Sequence, residues 1–173
     1  RLSPYLLAIT SWLGIIAGGL YTLTALVIFF CIHPAIDQLI KNKLSSNDGR
    51  DHPLYLEVLL LTYPLFQTVF LIHTFTIFLS EQSIWINIVQ ILSIGITCAG
   101  IGITAAHELI HRKDNIRKAL GIYVLALQNY TWFRIEHVFG HHKYVATKLD
   151  PATSKLNQNL YPFVIKSIYG GIK

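Results

Sequence analysis

Long uncharged apolar runs, separated by short polar links, fill the first two thirds of the chain. Residues 4–36 carry no Asp, Glu, Lys or Arg, residues 54–79 carry one acid, Glu57, and residues 84–106 carry none. The last two runs each reach the roughly 20 residues that cross a bilayer core of about 30 Å. The first is longer than one span needs. A large soluble protein with buried helices is the competing reading, but uncharged runs of about 18 or more residues default to membrane spans.

Punctuation divides these runs into elements. Gly18-Gly19 is the natural break in the first, because glycine most readily ends a helix. The pattern predicts helices over 4–17, 20–40, 55–79 and 84–106, with kinks at His33-Pro34 and Pro64. Residues 41–53, rich in Asn, Ser, Asp and Gly, read as a loop, and 80–83 as a short polar link. Residues 119–133 are apolar but short and interrupted by Gln128, Asn129 and Thr131, which suits a helix lying at the membrane interface beside Tyr130 and Trp132. The tail, 144–173, is mixed and reads as cytoplasmic. The expected architecture is all-α: an integral-membrane helical bundle of about four spans.

Composition agrees with lipid as the solvent. Of 173 residues, 53% are hydrophobic and 13% charged, with a mean hydropathy of +0.48; soluble domains carry about 25% charged residues. If Gly18-Gly19 and the 80–83 link share one side, the other receives Arg1, Lys41, Lys43, Arg50, Arg112, Lys113, Arg117 and Lys118. The positive-inside rule makes that side cytoplasmic. The net charge of +5 follows from this asymmetry, so nucleic-acid binding is not expected. Cys31 and Cys98 sit in separate apolar runs and form neither a disulfide framework nor a CxxC metal site. With no methionine, the chain lacks its own start and reads as a fragment.

Chemistry concentrates just after the fourth run. Five of the eight histidines fall within residues 107–142, in HELIH (107–111) and EHVFGHH (136–142). On a helix, His107 and His111 share a face. His137 and His141 repeat that spacing, with His142 alongside. Imidazole suits Fe, Cu, Zn and Ni, and ionisable groups at a membrane edge are expensive to keep and usually functional. HExxH alone is the zinc-protease motif, with Glu108 as base, so an intramembrane zinc protease remains open; it leaves His137, His141 and His142 without a task. Five imidazoles without a cysteine ligand suit a two-metal site better than a closed structural zinc site. His33, His52 and His73, outside both boxes, are not expected as ligands.

HELIHRKD, EHVFGHH and the following VATKLDPATSK (145–155) resemble the first two histidine boxes of membrane alkane monooxygenases, within the desaturase and hydroxylase superfamily. HPAIDQLI (33–40) is similar to the end of that family's second span. The resemblance implies hydroxylation of a terminal methyl group by two non-haem iron ions with O2. The substrate would be a hydrocarbon from the bilayer, and the electrons would come from a rubredoxin or similar iron–sulfur donor. It implies His107, His111, His137, His141 and His142 as metal ligands, with Glu108, Glu136 and Asp150 orienting imidazoles through their remaining N–H groups. It also implies a bacterial inner-membrane setting with the boxes cytoplasmic. Ile110, Arg112, Val138 and Phe139 depart from the family's usual residues, which keeps xylene-type alkyl-aromatic monooxygenases open as an alternative. Fatty-acyl desaturases are a further one, though their boxes usually read HxxxH and HxxHH. A third box is absent, so five imidazoles alone cannot fill two irons, and the chain alone is expected to be an incomplete enzyme.

Overall fold

The computed structural model describes residues 3–40, 54–78 and 83–172, and among these there are helices and connecting turns but no strand. The loop at 41–53 with His52, residues 79–82, and Arg1, Lys41, Lys43 and Arg50, on which half of the charge argument rests, lie outside the described residues. The chain divides into two compact units, Arg1–Ala105 and Ala106–Lys173.

In the first unit, α1 (Ser3–Ala17) ends where Gly18 and Gly19 take φ values of 70° and 54°. Glycine adopts this left-handed backbone without a Cβ clash. Then α2 (residues 19–40) starts as a 3-10 turn, becomes α-helical, and passes through a π turn at Ile28–Ile32 before His33–Ile40. The π turn falls just where Pro34 removes a backbone donor and crowds the carbonyl four residues earlier. By contrast, α3 (Leu54–Phe78) runs unbroken through Pro64, and α4 (Ile84–Ile110) contains a π turn at Cys98–Gly102.

Three of these helices, Gly19–Ile36, Leu54–Phe78 and Ile84–Ile110, are long and apolar enough to cross a membrane. The expected span over 4–17 is an apolar helix of 15 residues, Ser3–Ala17.

The packing of this unit is that of a bundle in lipid. Leu13, Leu20, Phe30, Leu65, Ile72 and Phe75 face outward, while Ser11, Thr22, Gln67, Thr74, Gln90, Ser93 and Thr97 are buried. Without water to drive apolar collapse, helix contacts in lipid rely on close packing and on small polar residues that bond locally or across helices. Ser93 Oγ donates to the Thr22 carbonyl at 2.5 Å, and Thr74 and Thr97 donate to carbonyls one turn back at 2.8 Å. An aromatic seam of Tyr5, Trp12, Tyr63, Phe66 and Phe70 joins α1 to α3, and Trp12 Nε1 donates to His73 Nδ1 at 2.9 Å. That bond gives His73 a structural partner. Of the two free cysteines, Cys98 packs in the core with Ile15 and Phe70, and Cys31 is exposed.

The second unit begins at Ala106, within the last turns of α4, and continues through α5 (Asn115–Leu127), α6 (residues 133–144) and α7 (Leu160–Ile172). Here the structure departs from the sequence expectation twice. The helix expected over 119–133 starts at Asn115, because Asp114 caps it by accepting from the Arg117 backbone N–H at 2.9 Å. It stops at Leu127, because Asn129 turns left-handed with φ 53°. Tyr130 N–H then bonds to Leu125 O at 2.9 Å and Asn129 N–H to Ala126 O at 3.0 Å, the paired closure that commonly ends helices. The tail is also more ordered than its mixed composition suggests, since 160–172 is a helix.

Candidate metal centre

The HELIH segment has two faces. On one side Ala106, Leu109 and Ile110 are buried. They meet α5 at Gly121, where a Cβ would lie 2.8 Å from Ile110 Cγ2, 2.9 Å from Leu109 Cβ and 3.0 Å from the Ala106 carbonyl oxygen. Only a residue without a side chain lets the helices approach this closely. The other side carries His107 and His111, with ring centroids 4.6 Å apart.

The second box reaches the same place by a different winding. Glu136–His141 is a π turn. In an α-helix of 3.6 residues per turn, a residue four positions on shares a face and one five on is turned about 140° away. The wider π turn, closed by i→i+5 hydrogen bonds, brings the residue five on back into register. His137 and His142 therefore meet, with Nε2···Nε2 3.1 Å, although the sequence spacing singled out His137 and His141. The His107 and His137 centroids are 4.6 Å apart, and those of His111 and His142 4.8 Å. One ligand nitrogen from each of His107, His111, His137 and His142 lies within 4.8 Å of the other three.

His141 is turned to the side of this cluster, its ring stacked 5.6 Å from that of His137. Its Nδ1 lies 2.8 Å from Asp150 Oδ2. Asp150 is 1% exposed, and its carboxyl also accepts from the Ala152 N–H at 2.9 Å and from the Thr153 hydroxyl. Burial pushes the Asp150 carboxyl up, but these hydrogen bonds together outweigh it and hold the group below the usual carboxylate range. An ionised Asp150 accepts only, so Nδ1 of His141 carries the proton of that hydrogen bond and Nε2 points away from it.

The other two carboxylates expected to orient imidazoles have different surroundings. Glu108 forms an ion pair with Arg112 at 3.1 Å, one turn on. Glu136 lies against α7, where a Cβ on Gly171 would meet its Cγ at 3.3 Å. Residues that the sequence did not single out complete this support. A Cβ on Gly170 would overlap Pro151 at 2.2 Å, Ser167 Oγ donates to Pro151 O at 3.1 Å, and Lys166 Nζ donates to Thr153 O at 2.9 Å. The available signal was a Gly-Gly pair inside an otherwise apolar helix, whose interior glycines commonly mark a packing contact. Ala146 holds φ 66°, a left-handed conformation that is rare for a residue with a Cβ and that concentrates at functional sites.

Electrostatics favour the metal-binding form of two of these imidazoles, His137 and His111. Burial, and then repulsion from His107, His142, His111 and His141, lowers the His137 pKa to about 4. Burial lowers His111 as well, with His107 and His142 adding to the effect and Glu108 opposing it. A neutral imidazole offers its lone pair to a cation, and a cation removes the cost of crowding four rings. The donor set, nitrogen without thiolate, fits borderline metals such as Fe and Zn. Two nitrogens bound about 2.1 Å from one ion at right angles lie about 3 Å apart, close to the 3.1 Å between His137 and His142.

Apolar spans joined to an imidazole-lined metal pocket define a class of protein: integral-membrane, helical and metal-binding. The comparisons carry the assignment further. Residues 83–172, just over half of the chain, match the family described as fatty acid desaturase, and the chain belongs to that family. It is 29% identical over 175 residues to alkane 1-monooxygenase 1 of Alcanivorax borkumensis, covering 98% of this chain and 42% of that protein. It is 30% identical over 170 residues to alkane 1-monooxygenase of Pseudomonas putida, covering 94% of this chain and 42% of that protein. A shorter stretch of 74 residues is 43% identical to alkane 1-monooxygenase 2 of Pseudomonas aeruginosa, covering 43% of this chain and 20% of that protein. The chain thus spans less than half the length of these curated relatives.

Proposed function

We propose that this chain forms part of a membrane hydrocarbon monooxygenase, whose metal centre uses His107, His111, His137 and His142, and His141 through Nε2. The observation that carries the reading is the convergence of imidazoles from both boxes within 4.8 Å, in a chain that also has helices apolar enough to cross a membrane and that is similar to alkane 1-monooxygenases along nearly its whole length. The metal we assign is a pair of non-haem iron ions. Bound there, such ions would supply O2 activation, by which one oxygen atom enters a C–H bond and the other leaves as water, with two electrons from a rubredoxin-type donor and two protons from solvent.

The chain's own residues have separable tasks in this reading. The four clustered imidazoles hold cations without adding negative charge. Asp150 fixes the rotation and tautomer of His141, and Glu108 and Glu136 hold the helices that bear the rings. Apolar helices let a substrate dissolved in lipid approach while the electron donor stays in water. One open apolar groove of about 580 Å³, lined by Leu71, Thr74, Phe75, Phe78, Ile91 and Ile94, suits an alkyl chain. We place the boxes on the cytoplasmic face of a bacterial inner membrane.

A zinc protease would need Glu108 free to activate water, and an ion pair with Arg112 at 3.1 Å occupies it; it would also leave His137 and His142 unexplained. Fatty-acyl desaturation uses similar chemistry and is the nearer alternative. The deciding experiment takes the full-length protein with reduced donor, an n-alkane and 18O2. About two irons per chain, negligible zinc and an 18O-labelled alcohol are expected. Zinc in place of iron, or an alkene without incorporated oxygen, overturns the reading.

A further inference from the structure

We propose that Thr153 is a positioning residue for the metal centre, acting through Asp150 on His141. Nothing in the HELIH or EHVFGHH motifs points to it, but its side chain stands at a junction of three segments. The Thr153 hydroxyl donates to Asp150 Oδ2, the same oxygen that meets His141 Nδ1 at 2.8 Å. Its Oγ1 accepts from the Ala146 N–H at 2.9 Å. Because that N–H occupies one side of the oxygen, the hydroxyl hydrogen is left to point at the carboxylate. The Thr153 carbonyl accepts from Lys166 of α7 at 2.9 Å.

The consequences for His141 are geometric. Asp150 has its Oδ1 fixed by the Ala152 N–H at 2.9 Å, which alone would let the carboxylate pivot. A second hydrogen bond at Oδ2, from Thr153, stops that pivot and fixes the plane in which His141 is met. A ring held at Nδ1 presents Nε2 in one direction, and ligands oriented in this way typically lose about 10–100-fold in metal affinity when the support is removed. The same hydroxyl, through Ala146, ties the carboxylate to the backbone just beyond His142. Thr153 therefore registers the turn at 150–153 against α6, the helix that carries three of the imidazoles. A serine would do this as well as a threonine; a valine of the same shape would not.

The inference rests on His141 being a metal ligand, and the test separates the two claims. The full-length protein, stripped of metal, is titrated with Co(II), whose visible spectrum reports ligand geometry, in wild type and in His141→Ala, Asp150→Asn, Thr153→Val and Thr153→Ser. We expect Thr153→Val to weaken the weaker cobalt site about 10–100-fold and to change its spectrum, with Thr153→Ser restoring both. Wild-type affinity and spectrum in Thr153→Val, alongside a clear loss in Asp150→Asn, overturns the role of Thr153 while leaving His141 in place. Equal losses in the valine and serine variants also overturn it, since shape rather than the hydroxyl would then matter. An unchanged titration in His141→Ala overturns the reading of His141 itself, and the positioning role with it. Should Thr153→Val fold poorly, Thr153→Ala is measured in its place against the same outcomes.

Discussion

His137 has the most perturbed environment in the second unit, and its behaviour with pH follows from that. Its pKa is lowered from 6.5 to about 4 by burial and by the four imidazoles around it. An unfolded chain takes up a proton near 6.5, whereas the folded, metal-free chain resists until about 4, so protons favour unfolding across that window. Stability of the metal-free protein is thus full above about 6.5 and is lost as pH falls towards about 4. The urea midpoint of metal-free protein should fall between those values, and His137→Gln should flatten the fall; an equally steep fall in that variant would contradict the assignment. At this scale the sequence was informative about chemistry and poor about direction. Histidine spacing identified His107 and His111 as a pair on one face, and they are. It did not reveal that His142 pairs with His137 and that His141 turns to Asp150, because both depend on how the backbone winds between them. Thr153 lies within the VATKLDPATSK segment, but its role was not legible there: a hydroxyl in a turn has no periodic signal, and that role depends on contacts up to 13 residues away, at Lys166.

Among the elements, α5 does the most to hold the first box in place. Gly121 lets it press on Ala106, Leu109 and Ile110, behind the histidine face. Adding side-chain volume to such a contact costs about 1–3 kcal/mol. Gly121→Val should therefore lower the melting temperature of the protein by several degrees. It should also weaken metal binding, because His107 and His111 ride on the displaced segment. Cobalt titration beside a melting curve checks both, and a variant that melts lower but binds cobalt normally would show that the box is held by something else. The ends of α5 explain why the sequence misplaced it. Apolar content marked 119–133, but the start was set by the Asp114 cap and the stop by left-handed Asn129. Both signals, Asp before a helix and Asn after it, were present and were outweighed by hydrophobicity. In α7 the inward face is Phe163, Ser167, Gly170 and Gly171, three of them small, so it carries little of the apolar stripe by which a helix announces itself.

At the scale of the whole molecule, the all-α membrane architecture was legible because it depends on long uncharged runs, the strongest signal a sequence carries. Among the described residues, three of the expected runs form helices long and apolar enough to cross a membrane. Orientation follows from charge, and the helix Ile84–Ile110 gives it a direct test. With Cys31 and Cys98 replaced by alanine, Ser83→Cys should react with an impermeant maleimide on intact cells. Lys113→Cys should react only after the cells are opened. The reverse pattern would turn the bundle over, and labelling of both from one side would remove this helix as a span.

The π turn in the second box bears on how such boxes are compared between proteins. An α-helix that reads HxxHH points its second and third rings about 60° to one side and about 40° to the other of the first, at 100° per residue. The π-wound HVFGHH of this chain carries one residue more between its first histidine and the final pair, and the wider turn absorbs it. Two chains whose motifs differ in length by one can thus present imidazoles in nearly the same three directions. An alignment gap at Val138 or Phe139 then marks a change of winding, not a change of ligand set.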